Sequence, residues 1–212
     1  SAYGVLTQDE KELGVMLIDI GYATSTISVY KEGSILFSHI ISVGGYNITN
    51  DLALSLQIPI DVAEKLKVQY GFAMAGDNNP NQTIEVNKGN NVSIQTISEI
   101  IQYRVKEIFE FIKDDVTKAG VYNLTASGIV LTGGSANLNG IQTLAEDFFK
   151  KNVRVGFPHQ NIRGLTDPIK HPEYAASVGL LYYARDNNVG IEQEAGKEGV
   201  MGKIKDFIKK IL

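Results

Sequence analysis

The sequence predicts an α/β fold: a strand layer flanked by helices, with a second, smaller subdomain inserted into it. Three observations predict it. "GVMLIDIG" (14–21) is a continuous apolar run closed by glycine, the pattern of a strand covered on both faces. "SGIVLTGGSANLNGI" (127–141) reads as strand, glycine turn and helix. Between them, a stretch dominated by Gly, Asn, Asp and Lys precedes one long helical stripe, so the order is βββα, insertion, βαβα.

Each element has its own local reason. After the first strand, "TSTISVYKEGSILFSHIISV" is rich in β-branched and aromatic residues around a Lys31-Glu32-Gly33 turn, which predicts a hairpin. Asn47 or Thr49 is expected to cap a helix over 50–57, broken by Pro59. Asp61 is expected to cap a second helix to about Tyr70, stopped by Gly71. Residues 76–91 read as a loop-rich excursion around a small "TIEV" strand. Ile97, Ile100, Ile101, Val105, Ile108 and Ile112 recur at three- and four-residue steps and predict a helix from Gln95 to Lys118. A helix to about Phe149, a short "VRVGF" strand and the small-residue helix of "PEYAASVGLLYYARD" follow. Residues 186–199 lack any period and read as a flexible linker.

Composition removes several function classes. The 212 residues are 43% apolar, enough for a proper core, and include no cysteine, which excludes disulfides, thiolate metal sites and thiol catalysis and favours a reducing compartment. His39, His159 and His171 are scattered and form no zinc-binding pair. No apolar run is long enough to span a membrane. The opening shows no signal-peptide pattern, and "SAYGVLTQDEKELGV" reads as the middle of a longer protein. The net charge of −4 divides into +3 on the last twelve residues and −7 on the rest, so the body offers nucleic acid no general attraction.

Four stretches carry candidate chemistry, each beside a plainer explanation. Asp19 ends a buried strand, where a carboxylate can hold Mg²⁺ through water and turn N–H and hydroxyl groups can hold phosphate; it can equally cap a turn. Gly133 and Gly134 allow close approach of a flat or anionic ligand at a helix start, or make an ordinary strand-to-helix turn. Glu64 and Lys67 share a helix face and suit a ribose, or form a surface ion pair. Arg104 and Lys106 on the long helix suit an acidic peptide, or a solvated face.

The chain ends in "MGKIKDFIKKIL". At 100° per residue, Val200, Met201, Ile204, Phe207, Ile208, Ile211 and Leu212 fall within an arc of about 140°, with Lys203, Lys205, Lys209, Lys210 and Asp206 outside it. This is the pattern of a helix lying in a membrane interface. Each lysine contributes ~1 kcal/mol near an anionic leaflet and each buried large apolar side chain up to ~2 kcal/mol, less the cost of ordering the helix. One such tail binds weakly and many on one polymer bind well. Docking onto the protein's own core or a partner is the competing explanation.

Taken together, "VLTQDEKELGVMLIDIG", "GGYNITNDLA" followed by "AEKLKVQYG", "IVLTGGSANLNGI" and "GLTDPIKHPEYAASVGLLYYA", in this order and spacing, resemble the FtsA family of bacterial cell-division proteins, within the actin and heat-shock-chaperone ATPase superfamily. The resemblance covers essentially the whole chain. It implies an actin-like (ribonuclease H-like) subdomain with an inserted smaller α+β subdomain and a C-terminal amphipathic helix. Residues 1–13 would end a preceding N-terminal half. Residues 14–70 and 127–185 would form subdomain 2A, 71–126 the inserted subdomain 2B, 186–199 a linker and 200–212 the membrane-targeting helix.

The resemblance also implies roles. Asp19 would face Mg²⁺ through water, with Gly21, Thr24 and Ser25 around the phosphates of ATP. Gly45 would open the nucleotide-side helix, Glu64 and Lys67 would reach ribose and adenine, and Gly133, Gly134 and Ser135 would form the adenosine loop. Arg104, with Lys106 close by, would receive the acidic C-terminal peptide of FtsZ. Met201, Lys203, Ile204, Lys205, Phe207, Ile208, Lys209, Lys210, Ile211 and Leu212 would bind an anionic membrane. The implied function is a peripheral adaptor on the cytoplasmic membrane face at the division site, polymerising with itself, anchoring FtsZ and meeting other divisome proteins.

Departures temper this. The family's phosphate turn is DIGGGTTD; here Tyr22 and Ala23 replace two glycines and Thr26 replaces the acid, so fast hydrolysis is not expected. The first phosphate loop belongs to the other half, so this chain alone is expected to bind ATP and Mg²⁺ poorly or not at all. An ATPase or kinase of the same superfamily and an actin-like pilus-assembly adaptor are the alternatives. No candidate for a kinase's catalytic base is found, and neither alternative needs both the amphipathic tail and the Arg104 helix.

Overall fold

The structure, a computed structural model, describes residues 1–76, 82–87, 90–159 and 167–187. Two short helices, Ala2–Val5 (α1) and Gln8–Leu13 (α2), lead into the central strand Val15–Ile20 (β1). Thr7 caps α2: its hydroxyl accepts the Glu10 N–H while the Glu10 carboxylate accepts the Thr7 N–H. The predicted hairpin is Ser25–Lys31 (β2) and Ser34–Ile41 (β3), turning at Glu32 and Gly33. Then come helices Gly45–Leu56 (α3) and Ile60–Tyr70 (α4), a small hairpin of Thr83–Asn87 (β4) and Asn90–Ser93 (β5), and the long helix Ile94–Lys118 (α5). Ile129–Thr132 (β6), Ile141–Phe149 (α6), Val153–Val155 (β7) and Ala175–Asp186 (α7) complete the α-helices and strands among the described residues.

The main sheet has the order β3-β2-β1-β6-β7, antiparallel across the hairpin and parallel from β1 through β6 to β7. Strand alternation divides β1 between two cores. Met16, Ile18 and Ile20 join the larger cluster, with Ile27, Val29, Ile129 and Leu131 and the inner faces of α3, α5 and α6. Val15 and Leu17 face the other way, against Val5, Leu6, Val130 and Ala175. This double coverage is why β1 is apolar almost throughout.

Of the predicted stripe of α5, Ile97, Ile101, Val105, Ile108 and Ile112 lie buried in the larger cluster, while Ile100 is half-buried at its edge. Ser93 caps the helix by accepting the Thr96 N–H at 3.0 Å. Towards its C-terminal half, the Phe109 ring meets Phe148 and Phe149 at 5.7 and 5.1 Å between centroids. The β4–β5 pair forms a sheet of its own.

Three local expectations are corrected. Helix α3 begins at Gly45, with neither Asn47 nor Thr49 as its cap. Gly44 precedes the helix, and its N–H is accepted by Asn47 Oδ1 at 3.0 Å. A Cβ at Gly44 would stand 2.7 Å from the Tyr22 carbonyl oxygen and 2.8 Å from that of Gly21, so only glycine fits this crossing. Helix α4 begins at Ile60 after Pro59, leaving Asp61 inside the first turn instead of capping it. Gly133-Gly134 does not open an α-helix. It leads into a single 3₁₀ turn, Gly134–Asn137, and α6 starts only at Ile141. The helix-dipole attraction expected at these glycines is therefore absent, because the dipole needs a longer run of aligned peptides than one 3₁₀ turn supplies. The structure also adds β5, which begins inside the loop-rich stretch 76–91 and runs two residues past it.

Candidate functional site

Parallel pairing brings the C-terminal ends of β1 and β6 side by side, with Asp19 opposite Thr132. Beyond those ends lies a cavity of about 270 Å³. Its wall comes from Gly21 and Tyr22 after β1, Gly45 of α3, Glu64, Lys67 and Val68 of α4, Gly71, and Gly134, Ser135, Asn137, Leu138 and Asn139 after β6. The volume falls just below the roughly 300–1,000 Å³ typical of pockets that enclose a drug-sized ligand.

The cavity wall is tied together by backbone and by one buried cation. Gly45 N–H donates to the Gly21 carbonyl at 2.9 Å and Tyr46 N–H to that of Tyr22 at 2.7 Å, so the turn after β1 is bolted to the start of α3. The Lys67 ammonium donates to Glu64 Oε2 at 2.7 Å, Thr49 Oγ1 at 2.8 Å and the Gly45 carbonyl at 3.1 Å. An ammonium has three N–H groups, and all three are engaged. Thr49 also hydrogen-bonds Glu64. Lys67 is buried, so Glu64–Lys67 is no surface pair; it joins α4 to α3 at the cavity's edge.

Of the ten residues expected around a nucleotide, six line this cavity: Gly21, Gly45, Glu64, Lys67, Gly134 and Ser135. Four do not. Asp19 is half-buried and accepts the Ser1 hydroxyl. Gly133, at φ +87°, passes so close over Asp19 and the Ile20 carbonyl that any Cβ would collide with both. Ser25 is buried and its hydroxyl donates to the Val43 carbonyl at 2.8 Å, while Thr24 is exposed. Thr49, Asn137 and Asn139 were missed. Thr49 carries only the signal of a cap candidate, and Asn137 and Asn139 follow the glycine pair with no pattern that marks them as ligand-facing.

A second concavity separates α3 from α5, lined by Asp51, Leu54, Ser55, Glu99, Ile100, Tyr103 and Arg104. Leu54 and Tyr103 are 70% and 75% exposed, an apolar surface open to solvent on both banks. Asp51 grips Arg104 bidentately, Nε to Oδ2 at 2.5 Å and Nη2 to Oδ1 at 2.8 Å, and Nη1 donates to Glu107. The hydrogen bond that Arg104 donates to Asp51 leads the causes that hold the guanidinium protonated beyond its ordinary range, against partial burial. Lys106 lies two residues on, about 200° around the helix, exposed and outside the groove. The structure therefore places Arg104 in the groove and does not bring Lys106 to it.

The tail residues Met201, Lys203, Ile204, Lys205, Phe207, Ile208, Lys209, Lys210, Ile211 and Leu212, and the linker from 188 on, lie outside the described residues. Among the described residues, no helix is long and apolar enough to cross a membrane, and no group of three or more His, Asp or Glu is placed to hold a metal ion.

Comparison with known proteins gives a consistent result. The family model described as cell division protein FtsA matches residues 16–179. Cell division protein FtsA of Pseudomonas aeruginosa is 39% identical over 188 residues, covering 86% of this chain and 45% of that protein. FtsA of Escherichia coli is 34% identical over 223 aligned positions, covering 100% of this chain and 53% of its own length. The chain thus spans about half the length of the curated relatives it matches. Among solved structures, MreB5 of Spiroplasma citri bound to ADP superposes with a TM-score of 0.71 at 18% identity, over 91% of this chain and 59% of that one. The fold is actin-like.

Proposed function

Because this chain belongs to the FtsA family of cell-division proteins, we propose that it is the part of an actin-like adaptor that holds FtsZ filaments to the cytoplasmic face of the membrane at the division site. Residues 14–70 and 127–185 act as subdomain 2A and 71–126 as subdomain 2B, and the protein polymerises through its actin-like body and meets other divisome proteins. One observation supports this reading above the rest. A groove combining Leu54, Ile100, Tyr103 and Arg104 occurs in the same chain as a terminal sequence that is apolar on one arc and lysine-rich on the other. The groove has the apolar anchors and the planar cation that a short acidic peptide needs. The tail has what an anionic lipid surface needs.

The cavity at the strand ends suits one wall of an ATP site. Gly21, Gly45 and Gly134 leave backbone open to close approach, Ser135 offers a hydroxyl, and Glu64 can accept from a ribose. Asp19, a half-buried carboxylate near the C-terminal end of β1, would be the residue to hold Mg²⁺ through water. Bound Mg²⁺ would offset phosphate charge. Lys67, with its three N–H groups engaged inside the protein, contributes its stem to the wall and keeps α3 and α4 together. ATP acts in this reading as an assembly ligand, and this chain supplies one wall of its site.

Co-sedimentation with anionic liposomes tests both ends of the adaptor at once. The chain is expected to pellet with vesicles and to carry an acidic FtsZ C-terminal peptide with it. Glu at Ile204 and Phe207 should abolish pelleting altogether. Arg104→Glu should leave pelleting unchanged and lose the peptide. Unchanged pelleting by the tail variant, or unchanged peptide recovery by Arg104→Glu, overturns the corresponding half of the proposal.

A further inference from the structure

The groove between α3 and α5 has the wrong charge for a simple acid receptor. Among the described residues that line it, Arg104 is the one cation, and Asp51, Glu99 and Glu107 stand around it, so these four side chains carry a formal −2. An acidic segment approaching such a cluster meets repulsion before it meets the guanidinium. The donors of Arg104 are also largely taken. Of its five N–H groups, Asp51 holds those on Nε and one on Nη2, and Glu107 holds one on Nη1.

We propose that Asp51 is a built-in competitor for the groove, its carboxylate occupying the face of Arg104 that an acidic peptide would otherwise take, so that a ligand must displace it to bind. The inference rests on the groove being the peptide site. Two features single out Asp51 over Glu107. Glu107 is three residues from Arg104 on the same helix and travels with it. Asp51 comes from a different helix, 53 residues away in sequence, so its contact breaks whenever α3 and α5 shift or Arg104 changes rotamer. Asp51 also keeps 21% of its side chain exposed, so a displaced carboxylate regains water without having to be rebuilt into a core. Chemically it is the same group the ligand offers, in the bidentate geometry the ligand would use.

The competitor selects among ligands. Carboxylate alone gains nothing, since one is already in place. Only a segment that adds apolar contact on Leu54, Ile100 and Tyr103 can win the exchange.

The test is fluorescence anisotropy of a labelled acidic FtsZ C-terminal peptide against the full 212-residue chain. Asp51→Asn keeps the shape and removes the charge. It is expected to tighten binding roughly three- to tenfold at low salt and to steepen the salt dependence, because Arg104 then meets the ligand unneutralised. Equal or weaker binding overturns the proposal and makes Asp51 a residue that merely orients Arg104. A measurement on the unaltered chain keeps the proposal open to refutation even if that variant does not fold. A short polyglutamate peptide, acidic but without apolar side chains, is expected not to bind, and saturable binding would overturn the competitor. Arg104→Glu separates this inference from the reading beneath it. If that variant binds the FtsZ peptide as well as the parent, the groove is not the peptide site and both fall. If it binds worse while Asp51→Asn binds no better, only the competitor falls.

Discussion

Lys67 and Arg104 flank the same helix and have opposite fates. Thr49 and Asp51 are two residues apart on α3 and so point to opposite sides of it; Thr49 meets Lys67, and Asp51 meets Arg104. Lys67 is 8% exposed, and its three N–H groups are matched by a carboxylate, a hydroxyl and a backbone carbonyl. Arg104 is 24% exposed and faces two carboxylates in contact. The first cation is saturated and neutralised, which makes it part of the cavity's frame. The second sits in an excess of negative charge at the surface, where its partners can be exchanged. A charged side chain is available for recognition when its partners are replaceable, and burial with saturation removes that possibility.

If the cavity is frame and the groove is surface, damage to the first should appear as lost stability and damage to the second as lost binding. The largest effect is expected at Gly133, which lies beside the cavity wall and crosses directly over the end of β1. Gly133→Val forces a β-branched residue into φ +87° and drives its Cβ against Asp19 and the Ile20 carbonyl. A loss of about 3–5 kcal/mol in urea unfolding, or failure to fold, is expected. A native-like midpoint would show that this crossing is not rigid and would weaken the contrast at its strongest point.

Lys67 comes next. Lys67→Met preserves much of the stem's packing but leaves Glu64, Thr49 and the Gly45 carbonyl without their shared donor. A loss of about 2 kcal/mol is expected, moderated because Glu64 can hydrate its partly exposed carboxylate. Urea unfolding measures it, and an unchanged stability would move Lys67 from frame to function.

What was legible in the sequence follows the same divide. The apolar run of β1 and the stripe of α5 announce themselves because burial imposes a period on consecutive residues. The glycines at 21, 45 and 134 and Ser135 were placed at the cavity through family resemblance, and the structure brings them together there. Lys67 reads from its spacing as a ribose contact or one end of a surface ion pair, and from the family resemblance as a nucleotide contact; an i, i+3 spacing says which face is shared and nothing about whether that face is covered. The start of α3 was misplaced because its cap is Gly44, chosen for a close crossing with Gly21 and Tyr22 that only the fold creates. Strand β5, "NNVS", has two asparagines and becomes a strand only through pairing with β4. The Asp51–Arg104 pair spans 53 residues, and no local pattern encodes it.

The smallest expected change in stability falls on Tyr103, and it tests the contrast most finely. Tyr103 lies on α5 beside Arg104, yet its side chain is 75% exposed and belongs to neither hydrophobic cluster. Replacing it with serine removes no buried area to speak of, and a helix surface position tolerates such a change within about 0.5 kcal/mol. The same ring is the largest apolar body on the groove's bank, and a ligand covering it would desolvate it fully. Aromatic residues placed in this way dominate binding where they become buried, so Tyr103→Ser is expected to weaken the acidic FtsZ peptide about tenfold or more while the unfolding midpoint stays put. Anisotropy and urea unfolding on one preparation read both quantities. Lost stability with unchanged affinity would invert the assignment, making the α3–α5 seam part of the frame and leaving the groove without its anchor.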